Sequence, residues 1–197
     1  MITPERMSLG TRVSLAVALT LSLAQPIDSL DWRVQRAVQG GRRPVFESSM
    51  RTATRLATGA TVLGALLGIA LFTGPAGVPT ARAVLAVLLP VNAVVEGIKR
   101  AVDRTRPDHV HDPNNSSFPS SHAANAAALA FVLSRRWPRG TPLFVTAAAL
   151  VSWSRVYLNR HFLSDVLFAA VLGVAIAWLV LRWLGRRGWL WDSRVAE

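Results

Sequence analysis

The sequence predicts an all-α fold, an integral membrane bundle of about six transmembrane helices with an amphipathic surface helix between the first and second. Three observations predict it. Of the 197 residues, 51% are hydrophobic and only 17% are charged, too apolar a balance for a water-soluble domain of this length. The apolar residues gather into six runs, roughly 13–25, 56–80, 83–95, 117–134, 140–154 and 166–181. The basic residues behind the formal net charge of +11 cluster at the ends of those runs. That is the pattern of a membrane surface, where a nucleic-acid binder would show a basic stripe.

In chain order, Arg6 and Arg12 precede the first run, as in a signal peptide, but no small-x-small cleavage site follows before "QPIDSLDW". A retained short helix is therefore expected there. Ile27, Leu30, Val34, Ala37 and Val38 then recur at helical spacing with Asp31, Arg33 and Arg36 between them, which predicts an amphipathic helix lying on the surface. Gly64 and Gly68 make a small-xxx-small pair suited to a helix contact within the bundle, and Pro90 is expected to kink the third run. Arg135, Arg136 and Arg139 with Trp137 close the fourth. Arg182, Arg186 and Arg187 with Trp183, Trp189 and Trp191 follow the sixth, all as interface anchors. No repeat or low-complexity tract divides the chain, so residues 1–197 are expected to form one domain. With no cysteine, disulfides and thiolate metal sites are excluded.

Three polar clusters interrupt the apolar chain: "KRAVDRTRP" (99–107), "PSSH" (119–122) and "SRVYLNRHFLSD" (154–165). With six spans, all three share one side of the bilayer, because they sit at the third-to-fourth and fifth-to-sixth connections. Lys99, the one lysine among 22 basic residues, and Arg106 and Arg155 can neutralise phosphate oxygens, arginine as a fork and lysine as a point charge. Ser120 and Ser121 stand where a helix starts, so their hydroxyls and the free N–H groups of the first turn suit an anion. That cradle calls for no metal or other cofactor. His122 is placed to donate a proton to a leaving oxygen. His161 is the candidate nucleophile, with Asp165 four residues on, in range to accept a hydrogen bond from one ring nitrogen and aim the other.

These residues resemble the three-part signature of the type 2 phosphatidic acid phosphatase superfamily: Lys99, six residues, Arg106-Pro107; Pro119-Ser120-Ser121-His122; and Ser154-Arg155, five residues, His161, three residues, Asp165. Every internal spacing and the order agree, over a motif region of 99–165. The resemblance implies a six-helix membrane phosphatase. It further implies a phosphohistidine on His161, Asp165 as its orienting group and His122 as general acid, with Lys99, Arg106, Ser120, Ser121 and Arg155 binding phosphate. One departure is visible: Ser121 stands where the family's second motif usually has glycine, and a backbone of positive φ there would strain a serine.

Singly, Lys99, Arg106 and Arg155 read as snorkelling interface residues, and His161 with Asp165 as a pair tying down a loop. Gathered on one rim, they read as a site. "DHVHD" (108–112) offers His109 and His111, but two histidines two apart do not complete a tetrahedral metal site. Glu96 is expected to pair with Lys99. The expected partners are thus the bilayer and a lipid phosphate, with no nucleic acid. Polyprenyl diphosphate, such as the undecaprenyl carrier, is the first substrate, and phosphatidylglycerophosphate or phosphatidic acid the alternative. Two remoter readings are a vanadate-dependent haloperoxidase, which shares the signature in larger soluble proteins, and a non-catalytic membrane scaffold. The raw positive-inside count is nearly even; the resemblance implies a bacterial-type plasma membrane with the site on the extracytoplasmic side.

Overall fold

A computed structural model describes residues 27–56, 58, 61, 62, 64, 68, 77–109 and 116–190. The first apolar run, most of the second, His111, Asp112 and Trp191 lie outside the described residues. All regular structure among the described residues is helical. We number the helices α1 (27–40), α2 (Pro44–Arg55), α3 (Val78–Val102), α4 (Ser121–Arg136), α5 (Thr141–Tyr157) and α6 (Leu163–Arg186). A 3-10 turn, Pro138–Gly140, joins α4 to α5.

Prolines in the first turn open α2, α3 and α5, positions where the missing N–H costs nothing and the ring presets φ. α3 runs on through Pro90 and closes at Asp103, whose left-handed φ of 41° lets its N–H donate to the Lys99 carbonyl at 3.2 Å. Within the described residues, two helices, α3 and α6, are long and apolar enough to cross a membrane. At 16 and 17 residues, α4 and α5 fall short of the span of about 20.

α4 is the central helix, packed on α3, α5 and α6. From α3 it receives the buried stripe Val84, Val87, Val91 and Val95. Its own contribution is mostly alanine: Ala123, Ala124, Ala126, Ala128 and Ala130 are all buried. Small side chains let backbones approach closely, and the closest approach is at Gly173 of α6, where a Cβ would lie 3.1 Å from the Ala124 Cα and overlap its carbonyl oxygen. Among the described residues, a Cβ at Gly64 would meet nothing within 4 Å. The outer faces are apolar, with Leu89, Leu143 and Val171 at 72%, 69% and 71% exposure. Such a surface suits lipid better than water.

The two ends of the bundle differ. At one, Arg136 donates to Thr80 Oγ1 at 3.3 Å, and the guanidiniums of Arg136, Arg182 and Arg187 lie over the rings of Trp137, Trp178 and Trp183, the anchor pattern of a membrane interface. At the other end α3 finishes, α4 starts, α5 finishes and α6 starts. Every residue of the three polar clusters is there.

α1 departs from expectation. Its buried face is polar, with Asp31 and Gln35 almost fully covered, while Ile27 and Leu30 are half exposed. Gln35 Nε2 donates to the Val156 carbonyl at 3.2 Å and to Asn159 Oδ1 at 2.5 Å, and Gln39 Nε2 to the Tyr157 carbonyl at 3.2 Å. The helix is amphipathic: Val38 packs on the core, and the two glutamines dock on the α5–α6 turn by giving donors to the carbonyls that end α5.

Candidate active site

The turn after α5 is built by chain-end chemistry. Asn159 takes a left-handed φ of 60°, its N–H donates to the Val156 carbonyl, and the Arg160 N–H donates to the Arg155 carbonyl, each at 3.0 Å. This is a Schellman closure, and asparagine tolerates the left-handed position it needs. The His161 N–H also reaches the Arg155 carbonyl, at 3.3 Å. The turn therefore folds His161 back beside Arg155 and buries it.

The ring of His161 is fixed by a residue the motifs did not single out. Its Nδ1 lies 2.7 Å from the Ser117 backbone carbonyl. A carbonyl only accepts, so Nδ1 carries the proton and Nε2 keeps its lone pair. Burial first, then the Arg155 and Arg106 guanidiniums, pushes the imidazole well below the ordinary histidine value.

Asp165 does not take the expected hydrogen bond from His161; its Oδ2 is 3.8 Å from Nδ1. The carboxylate is saturated by other donors: the Ser117 hydroxyl at 2.5 Å, the Phe162 N–H at 2.8 Å and Arg104 Nη1 at 2.6 Å. The Phe162 bond is what an acidic third residue does for a helix start. Ser117 thus holds both groups, the histidine by its backbone and the aspartate by its side chain.

Arg104, inside "KRAVDRTRP" but unassigned from sequence, is the hub. Besides Asp165, its Nη2 donates to Asp31 at 2.8 Å and to Asp28 at 2.7 Å, its Nη1 donates to Ser164 Oγ at 2.8 Å, and the guanidinium stacks on Phe162 at 4.4 Å. Asp31 in turn accepts the Ser164 N–H at 2.9 Å and the Ser164 hydroxyl. A half-buried guanidinium matched by the buried carboxylates of Asp31 and Asp165 and further hydrogen bonds is the arrangement that offsets the desolvation of each.

Around this scaffold stand the remaining motif residues. Lys99, Arg106 and Arg155 are each at most 9% exposed, and all three are close enough to act electrostatically on both His122 and His161. The Glu96 charge also acts on Lys99, and Lys99 Nζ donates to the Ser116 carbonyl at 3.2 Å. Ser120 is the N-cap residue of α4, but its hydroxyl does not cap. The Ser120 Oγ and the Arg155 Nε are both buried without a hydrogen-bond partner, a cost that a bound anion accepting from the guanidinium or the hydroxyl would lower. Ser121 begins α4 with helical backbone. The non-glycine residues of positive φ among the described residues are Asp103, His109 and Asn159, so serine carries no left-handed strain in the family's glycine position. From "DHVHD", Asp108 pairs with Arg160 at 2.8 Å and His109 stacks on Trp32 at 5.7 Å between centroids.

Two histidines, three buried cations and one helix start therefore meet at one end of the bundle. The model of the PAP2 superfamily matches residues 80–189, more than half of the chain and all three motifs. The chain belongs to the PAP2 superfamily. Among its PAP2 relatives, decaprenylphosphoryl-5-phosphoribose phosphatase of Mycobacterium tuberculosis is 37% identical over 95 residues, 45% of this chain and 52% of that protein. Phosphatidylglycerophosphatase B of Bacillus subtilis is 37% identical over 97 residues, 42% of this chain and 47% of that protein. The chain thus spans about half the length of these relatives. The fold is similar to the crystal structure of a transmembrane PAP2 type phosphatidylglycerolphosphate phosphatase from Bacillus subtilis. There the TM-score is 0.69 at 27% identity, over 88% of this chain and 96% of that one. LpxE of Aquifex aeolicus shares the fold, with a TM-score of 0.68 at 22% identity over 78% and 95% of the two chains.

Proposed function

We propose that the chain is a multi-pass membrane phosphatase that hydrolyses a terminal phosphate from a lipid through a phosphohistidine on His161. The observation that carries this reading is the Nε2 lone pair of His161, its proton placed on Nδ1 by the Ser117 carbonyl, among Lys99, Arg106 and Arg155. In the first step Nε2 attacks phosphorus, the bond to the leaving oxygen breaks, and His122 gives that oxygen a proton. In the second step water attacks the phosphohistidine, His122 takes the water's proton, and the phosphorus–nitrogen bond breaks to release phosphate. The three cations, the Ser120 and Ser121 hydroxyls and the N–H groups opening α4 hold the equatorial oxygens, whose charge grows in the transition state. Asp165, fixed by Arg104, lies close enough to His161 to favour the positive charge its ring gains on phosphorylation.

Polyprenyl diphosphate, cleaved to the monophosphate, is the first substrate; a polyprenyl lipid also appears in the name of the mycobacterial relative. Phosphatidylglycerophosphate is the second reading, favoured by the likeness to the Bacillus subtilis phosphatase over nearly the whole of both chains. Six spans, a bacterial plasma membrane and an extracytoplasmic site complete the proposal. The apolar outer faces of α3 and α6 support the membrane placement. The test is phosphate release by the purified chain in micelles from undecaprenyl diphosphate, phosphatidylglycerophosphate, phosphatidic acid and glucose 6-phosphate. One of the two diphosphorylated lipids should lead; equal cleavage of glucose 6-phosphate would remove the lipid reading.

A further inference from the structure

A second polar cavity adjoins the site. It has a volume of about 360 Å³, and its walls are Arg51, Thr54 and Arg55 of α2, Arg155 at the end of α5, and Arg160 with Asp108. This volume is at the small end for ligand pockets. Four arginines line it with one carboxylate, Asp108, which is engaged by Arg160 at 2.8 Å. Arg51, on the cavity wall, also pairs with Glu47 at 2.6 Å, while among the described residues no carboxylate pairs with Arg55 or Arg155. An anion held between these forks would give Arg55 and Arg155 the partner they lack.

Arg155 joins this cavity to the catalytic cluster. Its Nη1 is turned into the cavity wall, donating to Thr54 Oγ1 at 2.8 Å. Its Nε is buried without a partner, and its charge acts on both His122 and His161. One guanidinium therefore stands between two anion-selective spaces. α2 contributes three of the walls and lies wholly outside the phosphatase motifs.

We propose that this cavity is a subsite for a second phosphate on the same substrate whose terminal phosphate is transferred to His161. The substrates are then lipids carrying two phosphates in one head group, the outer one cleaved and the inner one gripped by Arg51, Arg55 and Arg160. This rests on the phosphatase reading above and narrows it, since single-phosphate lipids such as phosphatidic acid lack the group the cavity holds.

The experiment compares the full chain with the double variant Arg51→Gln, Arg55→Gln in micelles, on phosphatidylglycerophosphate, with two phosphates, and phosphatidic acid, with one. Loss of two charge-assisted contacts should raise KM for the two-phosphate lipid about tenfold or more with kcat little changed. The phosphatidic acid kinetics should stay within about threefold, which also shows that the variant is folded. Equal effects on both lipids, or none on either, would overturn the subsite. An effect confined to inhibition by inorganic phosphate would overturn it too, by assigning the cavity to the free ion. Were the unaltered chain to release phosphate from neither lipid, nor from undecaprenyl diphosphate, the phosphatase reading itself would fall and the subsite with it; activity on both lipids without a differential loss sinks the subsite alone.

Discussion

Nδ1 of His161 lies 2.7 Å from the Ser117 carbonyl oxygen and 3.8 Å from Oδ2 of Asp165. The tautomer of the ring is thus set by a main-chain acceptor that no side-chain substitution removes, and the aspartate acts on it only through space. Asp165→Asn should therefore leave the lone pair on Nε2, while weakening the Arg104 ion pair and losing the stabilisation of the proposed cationic phosphohistidine. A fall in kcat/KM of about 10- to 100-fold is expected, against complete loss in His161→Ala. If Asp165→Asn were as inactive as His161→Ala, with the protein still folded, the carbonyl would not be the group that holds the tautomer.

The pH behaviour of His161 follows from its burial and from the Arg155 and Arg106 charges, which depress its pKa well below the ordinary value of about 6.5. A depressed histidine stays neutral in the folded chain where the unfolded chain would bind a proton. The proposed nucleophile is therefore unprotonated at neutral pH, and folding stability declines as pH falls through about 6.5 toward the folded-state value. Imidazole NMR in micelles, with the His161 signal identified by its absence in His161→Ala, should show a neutral ring at pH 6.5. A ring half protonated there would refute this.

How much of this was legible in sequence differs residue by residue. Lys99, Arg106, Ser120, His122, Arg155, His161 and Asp165 could be grouped because their clusters fall at successive helix ends, and an antiparallel bundle brings alternate ends together. Ser117 could not, since its main-chain carbonyl does the work and a carbonyl has no side-chain signature. Arg104 was one of four basic residues in "KRAVDRTRP", and spacing alone does not say which of them meets Asp165. For α1, periodicity showed two faces, yet burial of the polar one depends on the carbonyls of the α5–α6 turn, partners more than 100 residues away.

The Arg104 hub makes a stability prediction. Arg104→Ala would leave Asp31 and Asp165, at 2% and 0% exposure, without their shared cation. Breaking such a buried pair costs about 3–5 kcal/mol, a drop in melting temperature of about 10 °C for a chain of this size. Asp28, 59% exposed on its side chain, adds little, so Asp28→Asn should be near neutral. Thermal unfolding of both variants in detergent checks the contrast, and equal melting points for Arg104→Ala and Asp28→Asn would contradict it.

The last prediction concerns the alanine-lined seam between α4 and α6. Gly173 is helical and needs no special φ, so an alanine there should strengthen the isolated helix by up to about 1 kcal/mol. The seam reverses that sign. A Cβ at 173 would overlap the Ala124 carbonyl, which is main chain and cannot rotate away, and overpacking of this kind costs about 1–3 kcal/mol. Ala124 lies two residues after His122 and four after Ser120, and its N–H donates to the Ser120 carbonyl at 3.0 Å, so pushing α4 outward also moves the proposed proton donor and phosphate cradle. Gly173→Ala should therefore lower both the melting temperature and kcat, whereas Gly97→Ala on α3, where a Cβ meets nothing within 4 Å, should lower neither. A Gly173→Ala protein as stable and active as the unaltered chain would mean that the seam can open without cost.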